Sequence, residues 1–354
     1  MYSTRTLNRI LSLILIVSLC LSCMLLISCG EKEVSQIDRA GEIISETDDT
    51  LTIIDQAGRE VCVKKNPESI ALCYRVIIRF LLSLDQGDKI KGIGKSETFL
   101  EEIQPSLKDC ADVGKGVADI EALAKLNPDI FIHKASDVET LEAVQNLGIP
   151  AVAIDVETPE SMITALDLLG KVCNAEDKAE ELIEFYDSNM NGISELSIDI
   201  IDKKSAIVMG TSIGKVADNS MLQGIMLEAA GAINCAKDLK TTELWPTAGT
   251  EQIFAWDPDY IFITGGDTAT YTAWDLYKDK SWSELKAVKN HHVYTIPARK
   301  DSWEFPGIVS ILGIEYMMKT MYPDLISELD FNRSVDAFYQ LSYRRKFSKK
   351  ELGY

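Results

Sequence analysis

The stretches EALAKLNPDIFI, residues 121–132, and EQIFAWDPDYIF, residues 251–262, decide how this chain folds. Glu121 matches Glu251, Pro128 matches Pro258 and Asp129 matches Asp259, each pair 130 residues apart. In both copies a helical pattern runs into Pro-Asp and then an apolar strand, which is an α-to-β unit of a parallel sheet. Proline cannot continue the helix and biases the preceding residue toward extended backbone, so the junction is set there. After each copy the chain enters a polar loop, residues 133–137 in the first and 264–270 in the second. Loops beyond the carboxyl ends of parallel strands are where open sheets take ligands.

Working outward, LTIIDQAGREVCV (51–63) alternates around Ala57-Gly58 and predicts a hairpin. SIALC (69–73) predicts a short buried strand, and YRVIIRFLLSLDQGDKIKGI (74–93) a helix ending near Gly87 and then a strand. IPAVAID closes the first half and HVYTIP the second. The second half opens on SAIVMGTSIGK, passes through the helical NSMLQGIMLEAAG and ends in amphipathic segments at 308–319 and 335–347. Between the halves, SMITALDLLGKVCNAEDKAEELIEFYDSNMNGISEL is helical in period with one interruption at Gly170. The expected architecture is α/β, two Rossmann-like lobes with parallel-rich sheets joined by one long interlobe helix. The lobes span residues 51–158 and 195–354, with the linker at 159–194. A helical linker is stiffer than a loop, so hinge motion is expected to be small.

The amino terminus has its own pattern. Arg5 and Arg9 precede a mostly apolar run from Ile10, and polar Glu31, Lys32 and Glu33 follow at once. Such a run fits an export signal over residues 1–28 better than a stop-transfer helix. Leu26-Ile27-Ser28-Cys29 resembles a lipoprotein signal-peptidase box, which implies acylation of Cys29 and cleavage before it. Residues 29–50 then predict a flexible acidic tether.

Net charge is −19 at pH 7, and loss of the two arginines of the signal makes it −21, so nucleic acid is excluded as a partner. Beyond Cys29 the cysteines stand at 62, 73, 110, 173 and 235, with no CxxC clip, and predict small buried hydrophobes rather than a cluster site. His133, His291 and His292 are the only histidines, too few for a histidine metal cage.

The hairpin IIDQAGREVCV, then LLSLDQGDKIKGI, VGKGVADIEALAKLNPDIFI, EAAGAIN, EQIFAWDPDYIFI and WSELKAVKNHHVYTIP, taken in order, resemble the helix-linked substrate-binding proteins of ABC importers that serve iron–siderophore, haem and cobalamin uptake. The resemblance covers about residues 51–330. It implies a metal chelate held between the lobes as cargo, no cofactor, and partnership with a permease dimer and its ATPase subunits at a bacterial membrane. It also implies an acid on the outer face of each lobe, docking on permease arginines. Glu228 is the candidate acid of the second lobe. In the first lobe, VIIRFLLSL places Arg79 there, either changing the docking or standing as a solvated face residue.

Candidate contacts lie on loops leaving the strands. Tyr74 and Arg75 follow SIALC, and the planar fork of Arg75 suits a carboxylate or phosphate edge. Lys134 follows DIFIH. In the second lobe Thr211, beside Gly210 and Ser212, offers small side chains and N–H groups to an anionic edge, with Lys215 near by. GTSIGK lacks the spacing of a phosphate loop, which argues against nucleotide hydrolysis. Trp245, Tyr271, Trp274 and Trp303 are flat rings able to cover a corrin, porphyrin or catecholate, and Arg299 could pair with an anionic group. Molybdate or tungstate is the alternative cargo, requiring converging N–H or arginine donors. An extracellular enzyme is the alternative of another class, but neither GxSxG nor HExxH occurs.

Overall fold

The computed structural model describes residues 39–94, 97–239, 243–265 and 269–354. The expected export signal, Cys29 and the tether as far as residue 38 lie outside the described residues. The fold opens with an antiparallel sheet of β1 (Ile43–Glu46), β2 (Thr50–Ile54) and β3 (Glu60–Lys64), in that order. Alternation in β2 and β3 forms the expected hairpin. Asp55 Oδ1 accepts the N–H groups of Ala57 and Arg59, both at 3.0 Å, and Gly58 takes the φ of +74° that the turn requires. Strand β1 corrects the tether, whose last residues are folded. All four of its side chains are exposed, so it forms by pairing with β2 and leaves no burial pattern to read.

A parallel sheet follows. Its elements are β4 (Ile70–Leu72), α1 (Val76–Ser83), β5 (Ile90–Ile93), α2 (Thr98–Ile103), β6 (Ala111–Asp112), α3 (Ile120–Leu126), β7 (Ile130–Lys134), α4 (Val138–Gln145) and β8 (Ala151–Ile154). The strand order is β6-β5-β4-β7-β8. The chain then runs through α5 (Pro159–Cys173) and α6 (Glu176–Ile198). The second parallel sheet contains β9 (Ser205–Met209), α7 (Leu222–Ala229), β10 (Ile233–Asn234), α8 (Thr250–Trp256), β11 (Tyr260–Ile263), α9 (Ala273–Lys278), α10 (Lys286–Lys289) and β12 (Val293–Thr295), with strand order β10-β9-β11-β12. Three helices close the chain, α11 (Ser310–Met321), α12 (Glu328–Tyr343) and α13 (Lys349–Leu352).

The two parallel sheets share a topology in which β4 corresponds to β9, β5 to β10, β7 to β11 and β8 to β12. The repeated Pro-Asp has the same work in both. Helix α3 ends on Asn127 at φ 46° and α8 on Asp257 at φ 42°, so a left-handed residue, and not the extended one expected before proline, stops each helix and proline forbids its resumption. The aspartate then reaches back to the start of the central strand. Asp129 Oδ2 accepts the N–H of Glu68 at 2.8 Å and of Ser69 at 3.2 Å; Asp259 Oδ2 accepts the N–H of Ser205 at 3.0 Å and its Oγ–H at 2.9 Å. Lys64 pairs with the first and Lys286 with the second. Burial opposes these two charges, yet the hydrogen bonds outweigh it and hold both carboxyls below the usual range.

The linker is helical as expected but consists of two rods. The break falls at Asn174, in the left-handed region at φ 54°, where α5 ends after a Thr158–Ser161 capping box has started it. Gly170, the expected interruption, lies within α5, where an added Cβ would sit 2.7 Å from the Cβ of Ala179 on α6. The missing side chain lets the rods pack closely rather than breaking the helix. One apolar core runs through Leu72 and Ile132 of the first sheet, Leu169 and Leu182 of the linker and Val208 and Phe262 of the second. The C-terminal segment returns to the first half, where Phe99 meets Tyr343 and Phe347, each at 5.8 Å between ring centres, and Arg344 pairs with Asp85 at 2.6 Å. Among the described residues no helix is long and apolar enough to cross a membrane.

Replacing Asp129 or Asp259 by alanine leaves strand-end N–H groups without an acceptor, and each change is expected to cost about 1–3 kcal/mol. Urea midpoints check this, with similar losses expected for the two variants if the repeat is structurally equivalent.

Candidate ligand cleft

The carboxyl ends of both parallel sheets open on one cavity of about 510 Å³. From the first half come Cys73, Tyr74 and Arg75 after β4, Lys115 and Gly116 after β6, and Glu157 after β8. From the second come Thr211 after β9, Trp245, Thr264 and Gly265 after β11, and Glu304 to Pro306 after β12. The side chains meet here because each strand delivers its next residues to the same edge.

A buried ionic knot spans the halves. Arg79 of α1, 4% exposed, donates from Nε to Asp301 Oδ1 at 3.0 Å and from Nη2 to Glu97 Oε2 at 2.6 Å. Arg75 Nη1 stands 3.5 Å from the other oxygen of Glu97. Burial alone would weaken the charge of Arg79, but Asp301 and Glu97 outweigh it and raise the pKa further. Its guanidinium also lies 5.2 Å from the ring centre of Phe305. Arg79 is thus neither a docking residue on the outer face nor solvated. A lone charge in the apolar run VIIRFLLS is itself the signal of a buried partner.

Tyr74, Arg75, Thr211 and Trp245 line the cavity. Tyr74 donates its hydroxyl to Glu157 at 3.1 Å. Trp245 holds φ at 60°, unusual for a bulky residue. Gly210 makes room for its ring, since a Cβ there would lie 2.8 Å from Trp245 Cε3. The other six candidates are outside the cavity lining. Lys134 ends β7 against β8. Lys215 pairs with Thr247 in an isolated bridge and lies 3.5 Å from Glu243. Tyr271 is buried, donating its hydroxyl to Gly210 O at 3.0 Å. Trp274 is 61% exposed beneath Lys278. Arg299 is exposed on a neighbouring depression and donates to Lys350 O at 3.2 Å. Trp303, at 0% exposure, belongs to the core and donates from Nε1 to Tyr339 Oη at 2.9 Å. Its ring anchors the loop and leaves its neighbours Glu304 and Phe305 to form the cleft wall.

Cys73 Sγ lies 3.2 Å from His133 Nδ1, and His133 Nε2 lies 2.9 Å from Asp137 Oδ2. The row has the outline of a nucleophilic triad. Burial, with Asp137 adding to it, pushes the Cys73 thiol up to about 12, and burial lowers His133 despite Asp137. The thiol therefore stays protonated at neutral pH and is a poor nucleophile. The five cysteines beyond Cys29 are free; Cys73 and Cys173 are buried as expected, whereas Cys62 is exposed.

The family model for periplasmic binding proteins matches residues 70–300. The chain belongs to that family. An ABC transporter substrate-binding lipoprotein of Bacillus subtilis, YvrC, is 24% identical over 320 residues, covering 88% of this chain and 97% of its own. The molybdate-binding protein MolA of Haemophilus influenzae is 24% identical over 348 residues, covering 91% and 97%. MolA's molybdate-bound structure superposes with a TM-score of 0.74, covering 84% of this chain and 99% of its own, at 20% identity over the aligned structures. A periplasmic solute binding protein of Veillonella parvula superposes at 0.75, with 26% identity, covering 85% and 95%. These solved structures share the two-lobed fold described above.

Two buried acids bear on the stability of this binding protein. Glu304, in the cleft wall, and Glu315, on α11, are each pushed up to about 7 by burial. The hydrogen bonds of Gly265 N–H to Glu304 and of Ser334 to Glu315 work the other way. Between the ordinary carboxyl range and neutrality these two sites bind more protons in the folded chain than in the unfolded one, so their contribution to stability falls as pH rises through that window, while buried His133 works the other way. From pH 5.5 to 8 the melting temperature of the parent is expected to fall relative to that of Glu315→Gln, as calorimetry can check. Arg79→Met strands Asp301 and is expected to cost about 3–5 kcal/mol in urea unfolding. Asp301→Asn in the same chain should restore part of that loss.

Proposed function

We propose that this chain is the extracytoplasmic substrate-binding protein of an ABC importer, and that it holds a metal chelate of the iron–siderophore, haem or cobalamin kind and passes it to a permease dimer with ATPase subunits. The observation that carries this is the cleft itself. Its volume of about 510 Å³ lies in the range of organic ligand sites, and Trp245, Phe305 and Tyr74 offer flat apolar surface to a chelate. Arg75 and Lys115 give it polar orientation. Acylation at Cys29 would tether the carrier to the membrane, a reading supported by the lipoprotein among its relatives.

A molybdate-type oxyanion is the second reading, favoured by the likeness to MolA over nearly the whole chain. It fits the cleft less well, because a tetrahedral oxyanion fills little of that space and Arg79 is already committed to two carboxylates. The enzyme reading is weaker, since the Cys73 thiol is held in its unreactive form.

Native mass spectrometry of residues 30–354 with haem, cobamides, ferric siderophores, molybdate and tungstate tests the reading. A one-to-one chelate adduct is expected, and an oxyanion adduct would replace the first reading by the second. Trp245→Ala should abolish most chelate binding with its melting curve nearly intact, whereas Trp303→Ala should lose about 3–5 kcal/mol of stability. Equal chelate affinity in Trp245→Ala and the parent would remove that ring from the site.

A further inference from the structure

We propose that Glu304 is the second lobe's recognition group, a protonated carboxyl whose Oε2–H donates to an acceptor oxygen or nitrogen of the bound ligand, so that capture is coupled to retention or uptake of one proton. This rests on the carrier reading and deepens it. Glu304 lines the cavity yet is 1% exposed. Its Oε1 accepts the Gly265 N–H at 2.7 Å, which fixes the carboxyl plane, and its backbone carbonyl accepts Gln223 Nε2–H at 2.9 Å, which fixes the loop. The other oxygen, Oε2, is buried and has no hydrogen-bond partner among the described residues. Native structures rarely leave such an atom unsatisfied unless a further group completes it.

Burial, with Asp301 adding to it, favours the acid form. Arg79 draws Glu304 toward the carboxylate, but its Nε and Nη2 are taken by Asp301 and Glu97. Asp301, in the same loop, opposes a second negative charge, and burial opposes it more strongly. Across the cavity Arg75 leans toward Glu97, Tyr74 donates to Glu157, and Lys115 is exposed. Among the described residues no cation is ion-paired with Glu304, and the pull of Arg79 toward the carboxylate is outweighed by burial. Burial pushes its pKa up to about 7, so about half of the free protein carries the neutral acid at pH 7 and most of it does below that pH. A ligand that accepts from Oε2–H raises it further, and linkage then requires affinity to fall as pH rises above neutrality.

The probes are ferrichrome, cyanocobalamin and molybdate, which keep one charge state between about pH 6 and 9, so a pH slope belongs to the protein. For a probe that binds, affinity is expected to fall about tenfold from pH 7 to 8.5, the limit set by one linked proton being tenfold per unit. Glu304→Gln, whose amide donates at every pH, should keep the low-pH affinity within about threefold and flatten the profile. Glu304→Ala should be weak throughout. A flat or rising profile in the parent, or an unchanged slope in Glu304→Gln, would overturn the proposal. Infrared difference spectra of the unliganded protein against Glu304→Gln provide a second measurement. A protonated carboxyl band titrating near neutrality is expected, and its absence at pH 6 would overturn the proposal. This band is read without ligand, so it decides the state of Glu304 even if no probe binds, an outcome that would count against the carrier reading alone.

Discussion

A full positive charge stands at Arg79 where water hardly reaches, and it is held there by Glu97 and by Asp301, which arrives from the other half of the chain, 222 residues away. Burying either group alone costs several kcal/mol, so the pair constrains where the last strand's loop can lie. Glu97 completes the shell from beyond β5, binding the front of the first lobe to the same knot. The cleft is the consequence. With Asp301 held on Arg79 and Trp303 sunk in the core, Glu304 and Phe305 have one place left, facing the loops that leave β4 and β9.

The ends of the strands make that place receptive. Parallel strands deliver successive loops to one edge, and the two sheets repeat the same order, so two sets of loops oppose each other with little help from individual side chains. Gly210 shows how little is needed. Its missing Cβ admits the Trp245 ring against the backbone, and the ring accepts a left-handed backbone to stay there. That strain gains meaning if the ring has a partner in the cavity.

Much of this architecture was legible in the sequence because it is local and repeated. The two Pro-Asp junctions announce helix stop, strand start and the side on which loops emerge, all within about a dozen residues. What escaped was set by distant pairing. Strand β1 has no buried face and forms only through β2. Gly170 reads as a break, but it permits helix packing, and the actual break at Asn174 depends on a left-handed residue that a polar stretch does not advertise. Among the ring candidates, Trp245 lines the cleft and Trp303 does not, though both sit in polar loops after strands. Which face a loop turns inward depends on its anchors, here Arg79 and Tyr339, and neither adjoins it in sequence.

The same anchors limit how the lobes can move. One apolar core passes from the first sheet through α5 and α6 to the second, and the C-terminal helices return to seal Tyr343 and Phe347 against Phe99. Lys300 pairs with Glu102 and Arg344 with Asp85 across the same boundary. A wide hinge opening would have to part these apolar surfaces and expose Asp301 together. The stiffness expected from a helical linker therefore has a second source, contacts far from the linker that tie the lobes directly. In such a frame the loops must do the adapting. The role proposed for Glu304 fits that demand: a ligand that becomes the partner of its unsatisfied oxygen would couple recognition and release to a hydrogen bond and a proton rather than to a large domain motion.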